Sequence, residues 1–522
     1  MGGRGVNPKR KHSFWVRLSV LLLGSGILLL ALVVAFCVWD EHRSFNAWED
    51  FSEEMQSLGY PMDTDLLFPA PPPEEDNFAA IPFLKSLIED RESFVDAWVV
   101  ASTLTNAHKV YIPADLPERF WRHGYGWTPD DVRLILLTRG AIEDPEPPVN
   151  AQGNLKLFSY FDSHFKELKS AVGRTFCQFP VFFELGPQYP YRHLETLHEV
   201  VILLSARAVT YLHAGRCNEA LEDIILAWEL IRKLDTDRTI MASLISESCF
   251  IYSLQPLWQG IAAHQWTDAQ LKQLQADLGR FDFINTFKQN YFFETVWIAN
   301  LYATIETAWM ENVFSAVMGK GVSVLQKQVL KLELALAKLL SKVPMGWIRM
   351  NLIHLSKSAF DYAEAVYRED EHLIDPLVVK RKMLELDTLY GDTINPDRFV
   401  VGKFKNSLFN SDIPRAAAQG QAFADMGKIA CELERFYLAE KKYPSSLPTD
   451  LSNEKVSADV VMGQEPYVFQ KTSASFMLYS LAWDKLNNLG QIGETSSGME
   501  DWVWPAADLP VPVNTFFGRT PS

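Results

Sequence analysis

The residues most suited to chemistry in this sequence are its histidines and acidic pairs, and neither group has a catalytic spacing. No GxSxG elbow, HExxH zinc motif, P-loop or GxGxxG motif occurs in the 522 residues. His193 and His198 are five residues apart, about 140° around a helix, so they cannot share one zinc face. Acidic pairs such as Glu53-Glu54 lie in stretches without an apolar pocket to raise a carboxyl pKa, so glycosidase chemistry has no support. We therefore expect structural histidines, with His213 at a helix end.

Cysteine spacing does not predict a zinc site either. Cys177, Cys217, Cys249 and Cys431 lie beyond the apolar N-terminal segment, and none belongs to a CxxC pair. The simplest interpretation is isolated, buried thiols, although an oxidising compartment would permit disulfides. The sequence assigns no pairing among the four.

The elements that position these residues begin with an apolar segment near the N-terminus. Residues 18–39 form 22 consecutive uncharged positions, and a membrane-spanning helix needs about 20. The preceding tail, residues 1–17, holds five basic and no acidic residues, whereas Asp40 and Glu41 follow the segment at once. The positive-inside rule therefore predicts a cytoplasmic tail, a single-pass anchor and a remainder across the membrane.

Three alternatives to an uncleaved anchor are open. A cleaved signal peptide has an apolar core of about 7–15 residues, shorter than this one. Ala35-Phe36-Cys37 is also a poor small-x-small cleavage site because its centre is bulky. A lipidated Cys37 would need a small residue before it, and Phe36 is large. A buried helix of a globular core usually has an apolar stretch of only about 10–14 residues. The sequence favours the anchor over all three alternatives.

The composition is acidic, with 65 Asp and Glu residues against 49 Lys and Arg residues and a net charge of −16. Because the basic tail precedes the anchor, the chain beyond residue 39 is more acidic still. Such a surface disfavours nucleic acid and, over its general area, anionic phospholipid, so we expect no nucleic-acid partner. Cations and basic partners stay open, although solubility alone also explains the charge.

After the anchor, residues 40–77 are predicted to form a juxtamembrane helix and a proline-rich stretch. The prolines favour an extended spacer that holds the folded part off the bilayer, and an ordered strap on the domain surface is the alternative. Residues 78–412 are predicted to form a helical bundle or solenoid-like domain. The predicted long helices cover roughly 192–214, 217–234, 238–264, 284–317, 322–343, 346–368 and 413–440.

One helix pair has a more specific pattern. Tyr211, Gly215, Ala220, Ile224 and Ala227 follow the spacing of a tetratricopeptide-like hairpin, in which small residues let two helices approach closely. No clear second copy occurs at the expected period of about 34 residues. An ordinary helical hairpin is therefore the alternative to a peptide-binding one.

Residues 322–343 also form a distinctive segment. An apolar stripe that includes Leu325, Leu332 and Leu339 accompanies a second face with four lysines. The pattern predicts a bundle helix with a solvated lysine face, and a helix lying on a membrane is the alternative.

The pattern changes after Tyr443-Pro444. Apolar residues alternate on either side of residues 471–474, which predicts a β-hairpin, and Pro466 favours an edge-strand start. Together with the preceding long helix, the hairpin predicts a small α+β region over residues 413–505. A proline-rich tail follows over residues 506–522.

Four motifs in this region occur in a recognisable order: Leu433–Tyr437 at a helix end, Lys442–Leu447, Leu478–Ser480, and the acidic Glu500–Trp504. This order resembles the globular domain of the type II secretion major pseudopilin. The prepilin cleavage site and early glutamate are missing, so the resemblance implies a borrowed domain within a larger protein. More loosely, the chain resembles uncharacterised single-anchored bacterial envelope proteins with Asn77-Phe78-Ala79 after a proline-rich stretch. These resemblances imply an inner-membrane anchor and a periplasmic bulk.

The pseudopilin resemblance also implies a calcium site in the loop after the Leu-Tyr-Ser strand, because a hard cation takes several oxygen ligands. The matching candidates are Asp484, Asn487, Asn488, Glu494, Glu500 and Asp501. Lys485 and two leucines interrupt the expected acid–glycine cluster, so an ordinary solvated loop is the alternative. No other cofactor is expected.

These expectations describe a mainly α-helical, membrane-anchored protein that binds or scaffolds a protein partner in the bacterial envelope. No catalytic residue is assigned. A secretion-system-associated component and an envelope hydrolase without a recognisable motif are the alternatives.

Overall fold

The computed structural model describes residues 8–60, 72–88, 126–138, 146–179, 192–304, 345–391, 409–447, 458–463, 465–472, 475–490 and 501–504. Within these ranges the chain is mainly helical and ends in a small three-stranded antiparallel sheet. The predicted fold class, with one long apolar N-terminal helix and a small sheet near the C-terminus, is confirmed.

The first helix, α1 (Pro8–Ser57), runs unbroken from the basic tail through the apolar segment and beyond it. Its Leu23–Ser57 portion is, among the described residues, the candidate membrane span by length and composition. The large apolar side chains from Leu23 to Trp39 are exposed, whereas Asp40, Phe51 and Met55 are buried. The first part of α1 therefore presents apolar surface outward, and the last part belongs to the folded domain.

The helices of this domain follow one another along the chain, and many begin at the signals that the sequence provides. Helix α3 starts at Pro129, and Thr267 and Gln270 form a capping box before α9. The bounds are α2 (Pro82–Ile88), α3 (Pro129–Thr138), α4 (Ala151–Phe158), α5 (Asp162–Ala171), α6 (Arg192–His213), α7 (Cys217–Leu234), α8 (Ile240–Ala262), α9 (Asp268–Leu278), α10 (Phe283–Thr304), α11 (Met345–Val366), α12 (Pro376–Tyr390) and α13 (Asp412–Glu440).

Helices α6 and α7 form a hairpin that turns at Gly215, whose φ of +72° favours glycine. Arg207 and Asp223, equally far from the turn, form a buried bidentate ion pair with both N–O distances at 2.7 Å. Ala220 and Ala227 are buried, which fits the close approach that small residues allow. The hairpin is present, and its tetratricopeptide character stays a prediction.

The C-terminal sheet contains β1 (Val468–Lys471), β2 (Phe476–Ser480) and β3 (Trp502–Trp504), in that spatial order. In register, Leu478 of β2 lies opposite Phe469 of β1 and Trp504 of β3. The hairpin of β1 and β2 was expected, but β3 was not, because Glu500–Trp504 was read only as an acidic end.

Helix α13 is the most enclosed helix of the C-terminal part, and nearly all its residues from Ile413 to Glu434 are buried. It contacts α8, α9 and α10 as well as β2 and β3. Gly420 lets it approach α8, since a Cβ there would lie 3.0 Å from Glu247 and 3.0 Å from Phe283. The helix therefore joins the bundle to the sheet.

Several predictions fall on residues outside the described ranges: the helix at 322–343, the part of 284–317 beyond Thr304, and the tail at 506–522. Most of the proline-rich stretch lies outside them too. At its described end, Asn77 and Phe78 are buried, and the Phe78 amide donates to the Phe176 carbonyl at 2.8 Å. This end lies against the domain, as a strap would.

Candidate functional site

The contact between α1 and α11 joins the apolar segment to the folded domain. Asp40, the first charged residue after that segment, has a fully buried side chain. Gly346 permits this, because a Cβ there would lie 2.0 Å from Asp40 Oδ2 and 2.8 Å from the Asp40 carbonyl oxygen. Arg43 donates to Asp40 Oδ1 at 3.0 Å, so the carboxylate has an ion-pair partner on its own helix. The two helices therefore meet at backbone distance where the apolar segment ends.

Two ion pairs extend the same contact along α1. Glu41 lies 2.5 Å from Arg349 of α11, and Glu54 lies 2.7 Å from Lys357. Phe51 is buried between these positions along α1 and is 1% exposed. Since exposed ion pairs contribute about 0–1 kcal/mol each, apolar burial holds the helices together and the pairs select their register.

A buried polar cluster surrounds Asp425 of α13. Asp425 Oδ2 lies 2.7 Å from His372 Nε2 and accepts from the Tyr467 hydroxyl at 3.2 Å. Its Oδ1 accepts from Gln421 at 3.1 Å and lies 2.9 Å from Lys428 Nζ. Burial acts to raise the pKa of Asp425, yet Lys428 and His372 hold it below the ordinary value. The cluster ties α13 to the turn before α12 and to the chain entering β1.

A second buried carboxylate, that of Asp459, lies at the C-terminal end of β2. It accepts from the Ser480 hydroxyl at 3.0 Å, the Val461 amide at 3.0 Å and the Leu481 amide at 3.2 Å. Burial raises its pKa to about 6 despite these three bonds. The carboxylate therefore stabilises the end of β2 rather than an open pocket.

A third cluster lies where α8 and α13 end. His264 Nδ1 is 2.8 Å from Glu434 Oε1, and the Tyr443 hydroxyl donates to Glu434 Oε2 at 2.8 Å. The His264 ring stacks on Tyr437 with centroids 4.1 Å apart. Burial raises the pKa of Glu434, and the bonds from His264 and Tyr443 oppose that shift. Glu434 is fully buried, so this pair also joins elements.

The three histidines that the sequence singled out occupy packing positions. His193 is buried, with Nε2 2.6 Å from Asp237 Oδ2, and His198 packs edge-on against Tyr252. His213 is exposed and is the last residue of α6, as expected of a helix end. No two of these three histidines form a common site in the described part of the chain.

Glu247 of α8 is a buried acid facing α13. Among the described residues its Oε1 accepts no hydrogen bond, and burial raises its pKa to about 8. Burial likewise raises the pKa of Asp235 to about 7 and that of Glu294 to about 7. Glu294 has a structural partner, the amide of Ile240 at the start of α8, which donates to it at 2.6 Å.

Of the six calcium candidates, Glu494 and Glu500 lie outside the described residues. Asp484 and Asn487 each accept a bond from a backbone amide two residues further along their own loop, at 2.9 Å in both cases. Asn488 donates to the carbonyl of Leu486 at 3.4 Å in the same loop. Backbone groups of the loop itself therefore already bind part of this set of candidate oxygen ligands.

Asp501 is the buried member of that set. It accepts from the Gly490 amide at 2.8 Å, and burial raises its pKa to about 6. Lys485, which interrupts the expected cluster, pairs with Asp375 at 2.8 Å. Calcium binding stays a prediction that rests on the resemblance.

Within the described part of the chain, no group of three or more His, Cys, Asp or Glu side chains is arranged to hold a metal ion. Cys177, Cys249 and Cys431 are buried free thiols, and Cys217 is partly exposed. Burial raises the pKa of Cys177 to about 12, which keeps that thiol protonated and unreactive.

No family model, curated protein or solved structure matches this chain. Sequence reasoning missed the two features with the most specific geometry, the Asp425 cluster and the burial of Asp40. His372 and Asp425 are far apart in sequence and carry no spacing signal. Gly346 did carry one, since a glycine between Met345 and Trp347 in a helical pattern indicates close backbone approach.

Proposed function

We propose that this protein is a single-pass, membrane-anchored protein whose helical extracytoplasmic domain binds or scaffolds a protein partner in a bacterial envelope. The observation that carries this proposal is the unbroken course of α1 from an exposed apolar stretch into the domain core at Phe51 and Met55. Because α1 packs Phe51 and Met55 into the core, the domain is fixed next to whatever environment surrounds the apolar part of the same helix. An exposed apolar helix of this length is suited to a bilayer, whose hydrocarbon core takes about 20 apolar residues.

The same helix supports an anchor that is retained. Residues 35–41, where a signal peptidase would act, lie within α1 and include the buried Asp40. Cleavage near Cys37 would also remove Phe36, whose ring packs against Trp347 of α11. An intact α1 is therefore the favoured mature form.

Three buried acids have structural contacts, so they give no support to the alternative of an enzyme. Asp425, Glu434 and Asp459 each accept bonds from at least two protein groups and are at most 1% exposed. Groups that are enclosed and occupied in this way stabilise the junctions between helices and sheet. Orientation follows from the basic tail and from Asp40 and Glu41, and the bacterial envelope from the resemblance.

A topology reporter tests the anchor and its orientation. Alkaline phosphatase fused after Ser522 is expected to be active, and green fluorescent protein at the same point is expected to be dark. The matched control replaces the five basic residues of the tail with glutamate and should lower phosphatase activity. A fluorescent fusion with inactive phosphatase on the native tail would refute the orientation.

Native purification in mild detergent, followed by mass spectrometry, tests the binding role. We expect a stoichiometric envelope partner that is missing when an unrelated single-anchored protein is purified in the same way. A lone, monodisperse protein that turns over a substrate would refute the scaffold in favour of an enzyme.

A secretion-associated role is the second proposal. It is supported by the order of a long helix followed by a β-hairpin, which is the order that the pseudopilin resemblance implies. Deletion of the gene should then reduce secretion of the host's exported proteins. If secretion is unchanged and the captured partner belongs to another process, the secretion-associated role is refuted and the scaffold role is retained.

A further inference from the structure

The start of α11 lies beside the apolar segment of α1. The rings of Trp347 and Phe36 pack edge to face with centroids 6.2 Å apart. Phe36 precedes Trp39, the last residue of the uncharged run, by three residues. At 1.5 Å per residue, Trp347 therefore contacts α1 about 4.5 Å inside the end of the apolar segment.

The exposure of nearby side chains supports this position. Leu28 and Val38 on α1 are 62% and 64% exposed, whereas Phe36 is 43% exposed beside Trp347. Trp347 itself is only half-buried, so part of its ring faces outward at the same level. Tryptophan with an apolar ring and a polar N–H is the residue most enriched where hydrocarbon meets headgroups.

The charged groups at this level are balanced. The Arg43 guanidinium lies 5.1 Å from the Trp39 ring centroid, and that of Arg349 lies 6.0 Å from the Phe45 ring centroid. Each arginine also pairs with an acidic residue of α1. The surface therefore has no excess positive charge that would require an anionic lipid.

We infer that the start of α11, with Trp347 at its tip, is a lipid-contacting surface that seats the folded domain directly on the bilayer. This inference rests on the proposed function, because the membrane that surrounds Phe36 is the membrane that Trp347 enters. Its occupant is the interfacial region of a zwitterionic phospholipid bilayer. The domain is consequently held at the surface by α11 as well as by the anchor.

Position-specific lipid quenching tests the inference on the full chain. Cys37 and Cys217 are first replaced with serine, and the fluorophore NBD is then attached to one new cysteine per variant. The three positions are Trp347→Cys, Leu28→Cys within the anchor, and Lys357→Cys on α11. Each variant is reconstituted in phosphatidylcholine vesicles that contain phosphatidylcholine with a nitroxide on the acyl chain near the headgroup.

Lys357 is a matched control because it lies on the same helix as Trp347. It pairs with Glu54, which follows Trp39 by 15 residues, or about 22 Å along α1. We expect the nitroxide lipid to reduce NBD emission severalfold at positions 28 and 347 and to leave position 357 nearly unchanged.

The outcomes separate this inference from the proposed function. Quenching at position 28 without quenching at position 347 would overturn the lipid contact and leave the anchor intact. An unquenched label at position 28 would overturn the anchor itself. Equal quenching at 347 and 357 would show that the lipid contact is not confined to the start of α11, which also contradicts the inference.

A second variant protects the test against misfolding. Trp347→Phe keeps an aromatic ring against Phe36 and needs no label. In vesicles of brominated phosphatidylcholine, the quenched share of total tryptophan emission should be smaller for this variant than for the wild type. An unchanged share in a variant with a wild-type melting curve would overturn the inference.

Discussion

At the residue scale, the junction between α1 and α11 depends on the absence of one side chain. Asp40 is buried and Gly346 faces it without a Cβ, so the two backbones approach more closely than any larger residue allows. The sequence analysis did not single out Gly346, and the identity of its neighbour, more than 300 residues away, carries no local signal. Long-range partners of this kind arise from packing and not from spacing.

Gly346→Ala should therefore weaken the junction. The new Cβ would meet the Asp40 carbonyl oxygen at 2.8 Å, and a backbone atom cannot swing aside. We expect the free energy of unfolding to fall by about 1–3 kcal/mol, measured by denaturation in mild detergent. Gly173→Ala is the matched control, since no atom lies within 4 Å of its Cβ position. Equal stability of both variants would refute the close contact.

Asp425 should be among the residues most costly to remove. Asp425→Ala would leave Lys428 and the Tyr467 hydroxyl without a buried acceptor, and such losses cost about 3–5 kcal/mol. Asp412→Ala on the same helix removes an exposed pair with Arg415 and should cost at most about 1 kcal/mol. Urea denaturation measures both. If the two variants are equally stable, the cluster does not join α13 to the sheet.

Stability should also depend on the protonation of Glu247. Burial raises its folded-state pKa from 4.5 to about 8, so the folded state binds this proton more tightly than the unfolded state. Its contribution is complete below pH 4.5 and is lost as the pH rises towards 8. The raised pKa values of Asp235 and Glu294 act in the same direction.

The free energy of unfolding should therefore decrease between about pH 5 and pH 8. The Glu247→Gln variant should show a smaller decrease over the same pH range. Each pKa unit corresponds to about 1.4 kcal/mol, so the difference amounts to a few kcal/mol. Denaturation at several pH values measures it, with the exposed Glu222→Gln as the control. Identical pH profiles for Glu247→Gln and wild type would contradict a buried, protonated Glu247.

At the element scale, the periodic helices were the most predictable part of the fold. The predicted 192–214 and 217–234 correspond to Arg192–His213 and Cys217–Leu234, because strong amphipathic periods and the Gly215 turn mark their ends. Helix α12 and strand β3 were missed. Trp502–Trp504 is too short for an alternation pattern and becomes a strand only by pairing with β2.

The loop after β2 is the element where calcium is predicted. If the resemblance holds, calcium at about 1 mM, typical of weak extracellular modules, should raise the melting temperature of the full-length protein. Asp501→Asn should abolish the rise, whereas Glu222→Gln, far along the chain on α7, should preserve it. A melting curve unaffected by calcium would remove the site and leave a solvated loop.

At the scale of the whole molecule, the helical fold class and the apolar helix were predictable, and the way they are joined was not. Composition and periodicity predict a domain beyond an anchor, and the prolines suggested a spacer between them. The structure shows α1 continuing through Asp40 into the core, with Phe51 and Met55 buried. The apolar segment and the domain thus share one helix.

The central claim is that this shared helix stays intact in the mature protein, and the mass of the protein extracted from membranes tests it most directly. We predict one species whose mass includes residues 18–39 together with the folded domain. A species that begins near Asp40 would show that the segment is removed, and would contradict the membrane anchor and every role derived from it.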